Sequence, residues 1–246
     1  MPQGPLVPKM TTLILTLMTY NIRHGAGMDN TWDISRQVAA VRKVNPDVLC
    51  LQEVDRHTKR SFGADEPAML AHLLAPLSNW EFVKSIDFQG GEYGNAILSA
   101  ETPLGVRRIP LPEPHEPRSM VVCEYGAFSV CNTHLSLYGD CRMATLDVFR
   151  ELARTAEKPV FFAGDWNSSP KSPFIRALAE DLVFLSDTNA PTCHAESPRT
   201  CIDYIAVDRR HAGMVKVLSA EVPDEPLASD HRPVVVKLEL TIKDSE

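Results

Sequence analysis

The sequence lacks the features of a membrane-spanning protein or of a protein held together by disulfides. The longest apolar stretch near the N-terminus, 13–18, is interrupted by Thr16 and has neither the length of a spanning helix nor the pattern of a signal peptide. None of the six cysteines forms a CxxC pair. Four of them lie in apolar, strand-like runs, where a cysteine is usually a small buried hydrophobe: Cys50, Cys123, Cys131 and Cys201. We therefore expect reduced thiols and a cytoplasmic protein with no integral membrane segment.

The sequence also lacks an excess of positive charge. Lys and Arg number 25 against 32 Asp and Glu, which gives a formal net charge of −7. Non-specific binding to duplex DNA depends on cationic patches, so the composition does not favour it, although a local basic groove remains possible. The only dense basic run is RHTKRS at 56–61, and a run of this length is usually a solvated loop.

No repeat and no low-complexity linker interrupts the chain. Its 246 residues, 44% of them hydrophobic, are enough for a real core without a metal or disulfide staple. The opening MPQGPLVPK is rich in proline, and we predict that 1–11 is a disordered tail. Residues 12–242 are then expected to form a single domain.

Strand-like runs recur along the chain, and helical periodicity appears in only a few places. The predicted helices are 33–44, 66–76, 142–156 and a segment that begins near Ser172 and Pro173. The predicted strands are 12–21, 47–53, 80–87, 94–99, 104–110, 119–125, 127–133, 159–163, 201–207, 214–221 and 233–241. The order is neither strictly alternating nor all-β. It predicts two mixed sheets packed face to face with helices outside, and a proline-rich irregular connection over 100–118.

Polar side chains able to bind a metal or move a proton stand at the ends of these strands. In layered folds, ligands gather where strand ends converge. Six segments carry such groups: Asn21, Gln52-Glu53, Asn132 to His134, Asp165 to Asn167, Asp203 within CIDYIAV, and Asp230-His231.

Each of these segments also has a plain structural reading. Asn21, Asp165 and Asn167 are common turn or cap residues, Glu53 fits a surface charge, and a histidine in a strand is often half-buried without a function. Asp203 is harder to explain, because an acid inside an apolar strand must be paired or hydrogen-bonded. Together the plain readings require six coincidences in one chain.

The ordered motifs TYNIRHG, LQEVD, YGNAILS, NTHLS, GDWNSSP, CIDYIAV and SDHRPV resemble the endonuclease/exonuclease/phosphatase superfamily. That superfamily includes pancreatic DNase-like nucleases, apurinic-site endonucleases, neutral sphingomyelinases and inositol-polyphosphate 5-phosphatases. The resemblance runs from about residue 17 to 237. It implies a four-layer α/β/β/α sandwich and hydrolysis of a phosphate ester assisted by Mg²⁺ or Mn²⁺.

The resemblance also implies the metal site. Glu53 matches the main metal ligand of the family, and Asn21 and Asp230 match groups beside the metal. This suits Mg²⁺, which prefers oxygen ligands and keeps several waters. No histidine and cysteine cluster with zinc spacing appears in the sequence.

Five further residues match catalytic positions of the family. Asp165 matches the residue that positions and activates the attacking water, and Asn167 matches its partner. His231 would contact the scissile phosphate, with Asp203 fixing its tautomer. His134 matches a second phosphate-contacting position. Trp166 is expected to pack in the core.

The substrate is less clear from the sequence. Asn95 could line the pocket or cap its strand. Candidates for a second phosphate or a headgroup are Arg56, Arg60, Arg118 and Arg142, although each alone would more often be a surface arginine.

The negative charge and compact length favour a small-molecule or lipid-headgroup phosphodiesterase or phosphatase, closest to the sphingomyelinase-like and uncharacterised bacterial branch. A DNA or RNA nuclease is the alternative. A catalytically inactive binding module is disfavoured because no catalytic position is lost. The oligomeric state is not predicted.

Overall fold

A computed structural model describes residues 10–243 of the protein, which contain two mixed six-stranded sheets. The first sheet has the order β11-β12-β1-β2-β4-β3. Its strands are β1 (Met10–Asn21), β2 (Val48–Arg56), β3 (Asn79–Phe88), β4 (Gly91–Ser99), β11 (Val215–Glu221) and β12 (Val234–Lys243).

The second sheet is formed by one continuous part of the chain. Its order is β5-β6-β7-β8-β10-β9. Its strands are β5 (Gly105–Leu111), β6 (Arg118–Glu124), β7 (Ser129–His134), β8 (Val160–Asp165), β9 (Leu182–Phe184) and β10 (Asp203–Asp208).

The two sheets pack face to face and are covered by helices on their outer faces. The central core includes Leu17 and Val236 from the first sheet and Phe161 and Ile205 from the second. Helices α1 (Ile34–Val44) and α2 (Glu66–Leu73) cover the first sheet. Helices α3 (Gly139–Thr155) and α4 (Pro173–Leu178) cover the second. The predicted four-layer α/β/β/α sandwich is therefore confirmed.

Side-chain caps explain where three of the helices begin. The Asp33 side chain accepts a hydrogen bond from the backbone of Ser35 at the start of α1, and Asp65 caps α2 in the same way. The Ser172 hydroxyl accepts from the backbone N–H of Ile175, and proline follows at the first helical position. These caps satisfy backbone N–H groups that have no partner within the helix.

Several predicted boundaries differ from the structure. Strand β1 begins at Met10, two residues inside the predicted tail, and the rest of that tail lies outside the described residues. Helix α2 ends at Leu73 rather than at 76. The strand predicted over 104–110 is present as β5, so the connection 100–118 is irregular only outside it; β5 accommodates Pro110 because an edge strand has one unpaired side. The short strand β9 was not predicted.

No helix in the part of the chain that the structure describes combines the length and the apolar character needed to cross a membrane. Trp166 is fully buried, and its ring packs against Phe149, Phe184 and Tyr204. The expectation that Trp166 packs in the core is confirmed.

Candidate active site

Two parallel strand pairs converge at one end of the sandwich. Strands β1 and β2 run parallel in the first sheet, and β7 and β8 run parallel in the second. Asn21 ends β1, whereas His134 and Asp165 end β7 and β8 as a register pair. The Asn21 Nδ2 atom lies 3.1 Å from Asp165 Oδ2, so the two sheets meet at this point. The candidate site therefore lies across the seam between the sheets.

A break in the β2–β4 ladder positions Glu53. The register of the two strands shifts between Leu51 and Val54, and Glu53 lies within this irregularity with a φ of 55°. Asn167, just after β8, also has a positive φ of 47°. Non-glycine residues in this region are strained, and such strain clusters at functional sites.

Gly164 allows β8 to approach β7 closely just before Asp165. Its φ is 140°, and a Cβ atom built there would lie 1.9 Å from the carbonyl oxygen of Thr133. No side chain can replace glycine at this point without moving the strand. The glycine that ends the apolar run of β8 is therefore a steric requirement of the site.

Asp165 lies at the centre of the site and is almost fully buried. Its Oδ1 atom accepts a hydrogen bond of 3.0 Å from the backbone N–H of Asn167. Its Oδ2 atom lies 3.4 Å from Nε2 of His134 and 3.6 Å from Nε2 of His231. One carboxylate oxygen is thus shared between two imidazoles and the Asn21 amide.

A chain of buried hydrogen bonds holds His231. Nδ1 of His231 lies 2.9 Å from Oδ2 of Asp203, and the hydroxyl of Thr192 donates to the same oxygen. Burial alone would lower the pKa of His231, but the charges of Asp203 and Asp165 outweigh it and hold that pKa well above its usual value. This shift favours the imidazolium form of His231, whose Nε2 atom faces Asp165.

His134 has the opposite character. Burial lowers its pKa to about 4, although the charge of Asp165 acts in the other direction. Its Nδ1 atom is buried and has no hydrogen-bond partner among residues 10–243. The site therefore places a neutral imidazole and a cationic one on the same carboxylate oxygen.

A second group of oxygen atoms surrounds Asn21. The Asn21 amide donates to Oε1 of Glu53 at 3.0 Å as well as to Asp165, and the Ser229 hydroxyl donates to the Asn21 carbonyl. Burial raises the pKa of Glu53, and the charges of Asp230 and Asp165 raise it further.

These mutually repelling carboxylates fit a hard divalent cation, which would relieve the repulsion and take oxygen ligands. Another possible metal-binding group overlaps the same site. The ligand atoms of Asp165, Asp203 and His231 all lie within 4.8 Å of one another.

Two of the predicted substrate-binding residues have structural partners instead. Asn95, on β4, donates a hydrogen bond of 3.0 Å to the Ser119 carbonyl on β6, so it bridges the two sheets. Arg56 pairs with Asp65 at 2.8 Å, and its guanidinium lies 5.3 Å from the centroid of the Trp80 ring. The structure does not bring either side chain into the cluster around Asp165.

Arg60 is also held by partners of its own. It forms a close ion pair with the buried Asp55 and lies over the ring of Phe88, 4.4 Å from its centroid. Its positive charge still reaches Glu53, whose charge in turn acts on Arg60. Arg60 is therefore within electrostatic reach of Glu53.

Arg118 and Arg142 lie closer to the chemistry. Arg118 pairs with Glu116 at 2.8 Å, and Arg142 donates to the Ser136 carbonyl at 2.7 Å. In each guanidinium the Nε atom is buried without a hydrogen-bond partner in the described chain. The charge of Arg118 contributes to the low pKa of His134, which places it within electrostatic reach of the site.

Three residues of the site were not assigned from the sequence. His24 has a left-handed backbone and a pKa that burial and the charge of Arg60 lower to about 4. Burial raises the pKa of Tyr93 well above its usual value, and the charge of Glu53 adds to the shift. Both residues stand inside motifs that carry the family resemblance. Thr192 comes from a loop without a recognisable motif.

The fold and the site together place an Asp–His cluster at the seam of two packed sheets. Residues 18–231 match the model of the Endonuclease/Exonuclease/phosphatase family, and the chain belongs to that family. Members of this family are phosphoester hydrolases, and they generally use divalent metals. No curated protein matches the chain.

Solved structures show the same fold. A family member from Beutenbergia cavernae is 26% identical, with a TM-score of 0.73 over 92% of this chain and 72% of that one. The mannosyl-6-phosphatase of Bacteroides thetaiotaomicron is 20% identical, with a TM-score of 0.71 over 91% and 99% of the two chains. ANGEL2, a 2′,3′-cyclic phosphatase, is 18% identical, with a TM-score of 0.70 over 97% and 99%.

Proposed function

We propose that the protein is a hydrolase of phosphate esters that depends on Mg²⁺ or Mn²⁺ and acts on a small molecule or a lipid headgroup. The observation that carries the proposal is the pair of imidazoles on Asp165. Nε2 of both His231 and His134 faces Oδ2 of Asp165, and the raised pKa of His231 and lowered pKa of His134 favour one cationic and one neutral ring. Such a pair can bind the anionic phosphate of a substrate while the carboxylate between them handles a proton.

Asp165 takes the proton of the attacking water in this scheme. Its Oδ1 atom is fixed by the backbone N–H of Asn167, and Oδ2, which faces both imidazoles and the Asn21 amide, accepts the proton. The Asn167 side chain donates to the Leu135 carbonyl at 2.9 Å, and this bond holds its amide beside Asp165. Asn167 then steadies the water or a phosphate oxygen.

His231 donates a hydrogen bond to the scissile phosphate. Asp203 and Thr192 keep its Nδ1 side occupied, so only Nε2 faces the substrate. His134 contacts a second phosphate oxygen. The two contacts stabilise negative charge that develops on the phosphate in the transition state.

Glu53 would hold the metal ion, with Asn21 and Asp230 beside it. When bound, the ion would neutralise charge on a phosphate oxygen and orient the ester. Asp203 and His231 already bind each other, so the ion is expected at Glu53 and not at the overlapping group of Asp165, Asp203 and His231.

The arginines support a small anionic substrate. Arg118 and Arg142 each retain an unpartnered buried N–H, which suits a second phosphate or another anionic group. The similar structures include proteins described as a mannosyl-6-phosphatase and a 2′,3′-cyclic phosphatase, and both names denote action on a phosphate ester.

A nuclease of the same family is the second candidate, and the basic run 56–61 is the observation that would favour it. In the folded protein, however, Arg56 and Arg60 are engaged by Asp65 and Asp55. Few charges in the run remain for a nucleic-acid backbone, so the small-substrate proposal is preferred. An inactive binding module is disfavoured because every catalytic position is occupied.

A substrate panel tests the proposal directly. It contains bis-p-nitrophenyl phosphate, mannose 6-phosphate, an inositol phosphate, sphingomyelin, plasmid DNA and an abasic oligonucleotide, each assayed with Mg²⁺, with Mn²⁺ and with EDTA. We expect turnover of a small or lipid ester that EDTA abolishes. Asp165→Asn keeps the side-chain shape and should lower turnover by several orders of magnitude. Cleavage of the DNA substrates alone would establish the nuclease instead, and activity in EDTA would remove the metal.

A further inference from the structure

Three side chains with metal-binding atoms meet outside the candidate active site. Glu113 and His115 lie in the connection between β5 and β6, and Cys141 lies in the first turn of α3. Their ligand atoms are all within 4.8 Å of one another. The spacing of these residues along the chain matches no zinc motif, and the fold brings them together.

The Glu113 carboxylate is only partly satisfied by the protein. Its Oε1 atom accepts a hydrogen bond of 2.9 Å from the backbone N–H of His115. Its Oε2 atom is buried, with no hydrogen-bond partner within residues 10–243. A buried carboxylate oxygen without a hydrogen-bond partner is available to a bound cation.

Cys141 supplies a thiol that a metal could convert to a thiolate. Its side chain is 4% exposed, and burial together with the Glu113 charge raises its pKa. A coordinating metal ion reverses this situation, because a bound thiol loses its proton. The thiolate would also lie at the N-terminal end of α3, where negative charge is favourable.

His115 provides the third ligand and an entrance. The residue is exposed, and its ring packs on the ring of Tyr138 with 4.3 Å between centroids. One face of the imidazole is thus supported while the solvent side remains open. An ion can enter from that side and keep a water as its fourth ligand.

We propose that Glu113, His115 and Cys141 bind a divalent transition metal such as Zn²⁺, at a site separate from the catalytic one. One sulfur, one nitrogen and one oxygen form a donor set that suits Zn²⁺ or Co²⁺ and does not suit Mg²⁺. The oxygen-rich group around Glu53 has the opposite preference.

Metal binding there would join two segments that flank the substrate-binding arginines. Arg142 directly follows Cys141, and Arg118 begins the strand that follows the connection carrying His115. The ion would therefore tie the proline-rich connection to α3 and restrict the positions of both guanidinium groups.

Cobalt spectroscopy of the full chain tests this site. The protein is stripped of metal with EDTA, exchanged into chelator-free buffer and titrated with Co²⁺ alone. Binding to a thiolate produces a sulfur-to-cobalt charge-transfer band, which oxygen and nitrogen ligands at the catalytic site do not produce. We expect a band that saturates at one equivalent. Cys141→Ser should abolish it, and His115→Ala should weaken Co²⁺ binding at this site about 100-fold or more.

Cys193→Ser is the matched control, because the Cys193 backbone pairs with that of His231 beside the catalytic cluster. This variant should keep the band. Loss of the band in Cys193→Ser with retention in Cys141→Ser would place the metal at the catalytic histidine and overturn the proposal. The absence of a band in the wild type would overturn it as well. If Cys141→Ser does not fold, Glu113→Gln is the alternative variant, because it keeps the thiol. The Glu113→Gln variant should reach saturation at a higher Co²⁺ concentration. An unchanged titration would count against the site.

Discussion

Replacement of Asn132 by leucine would test how the two sheets are held in register beneath the site. Asn132 lies on β7 and is fully buried. Its amide donates hydrogen bonds of 2.8 Å to the carbonyl groups of Leu51 and Ala96 in the opposite sheet. Its Oδ1 atom accepts a 2.7 Å bond from Gln52. Leucine keeps most of the volume but removes all three bonds.

The magnitude follows from the groups that lose their partners. Gln52 retains a bond of 2.9 Å to the Thr19 hydroxyl, so its loss is small. Leu51 and Ala96 are register partners beside the β2–β4 irregularity, and the carbonyl of each would lose a buried donor. At about 1–3 kcal/mol for each of these two unsatisfied groups, the substitution should cost about 2–6 kcal/mol of unfolding free energy. That is a large part of the 5–15 kcal/mol that is typical of a folded protein.

Urea denaturation followed by tryptophan fluorescence measures this cost. Trp166 reports on the second sheet, whereas Trp32 and Trp80 pack against the core of the first. Asn189→Leu is a control, because within residues 10–243 the Asn189 side chain bonds only to the nearby Asp187, and we expect a change below about 0.5 kcal/mol there. A cost below about 1 kcal/mol for Asn132→Leu, with an unchanged denaturant slope, would show that the bridging hydrogen bonds do not hold the sheets together.

Three further predictions concern the site itself. Gly164→Ala should cost more than about 3 kcal/mol or prevent folding, because its Cβ would collide with the Thr133 carbonyl; a normal thermal midpoint would contradict this. Glu53→Gln should raise the thermal midpoint in EDTA, since it removes a repelled charge, while it abolishes turnover; a lower midpoint would refute the repulsion argument. Asp203→Asn should lower the pKa of His231, measured by NMR titration. Because that pKa is raised in the folded state, the His231–Asp203 pair contributes its full stabilisation of the fold below about pH 6.5, and this contribution is lost as the pH rises through the folded pKa. The free energy of unfolding of the variant should lack this pH dependence.

The sequence predicted the positions that cluster at strand ends because each has a local signature. An acid or amide just after an apolar run is visible without any knowledge of the partner, and this sufficed to single out Asp165 and Asn167, whereas His231 stood out by its place before the last strand. The partners themselves were not visible. Thr192 bonds to Asp203 across a loop, and no periodicity marks it.

The roles of buried amides and arginines were also beyond local reasoning. Asn95 was expected to line a pocket or cap a strand, but its partner is a carbonyl on the other sheet. Arg56 was a candidate for phosphate binding, but its guanidinium forms an ion pair with Asp65, which lies in a loop that folds back onto it. A single sequence does not show which of two opposite charges will meet. The three-residue strand β9 is too short to show alternation.

Because the site lies at the seam between the two sheets, its activity should depend closely on how the sheets are aligned. Asn21 belongs to the first sheet and Asp165 to the second, and a 3.1 Å hydrogen bond joins them. A displacement of about 1 Å at a catalytic group can cost about 100-fold in rate. Core substitutions far from the site, such as at Phe161 or Val236, would therefore lower activity by displacing one sheet slightly relative to the other, while the protein still unfolds in a single cooperative transition.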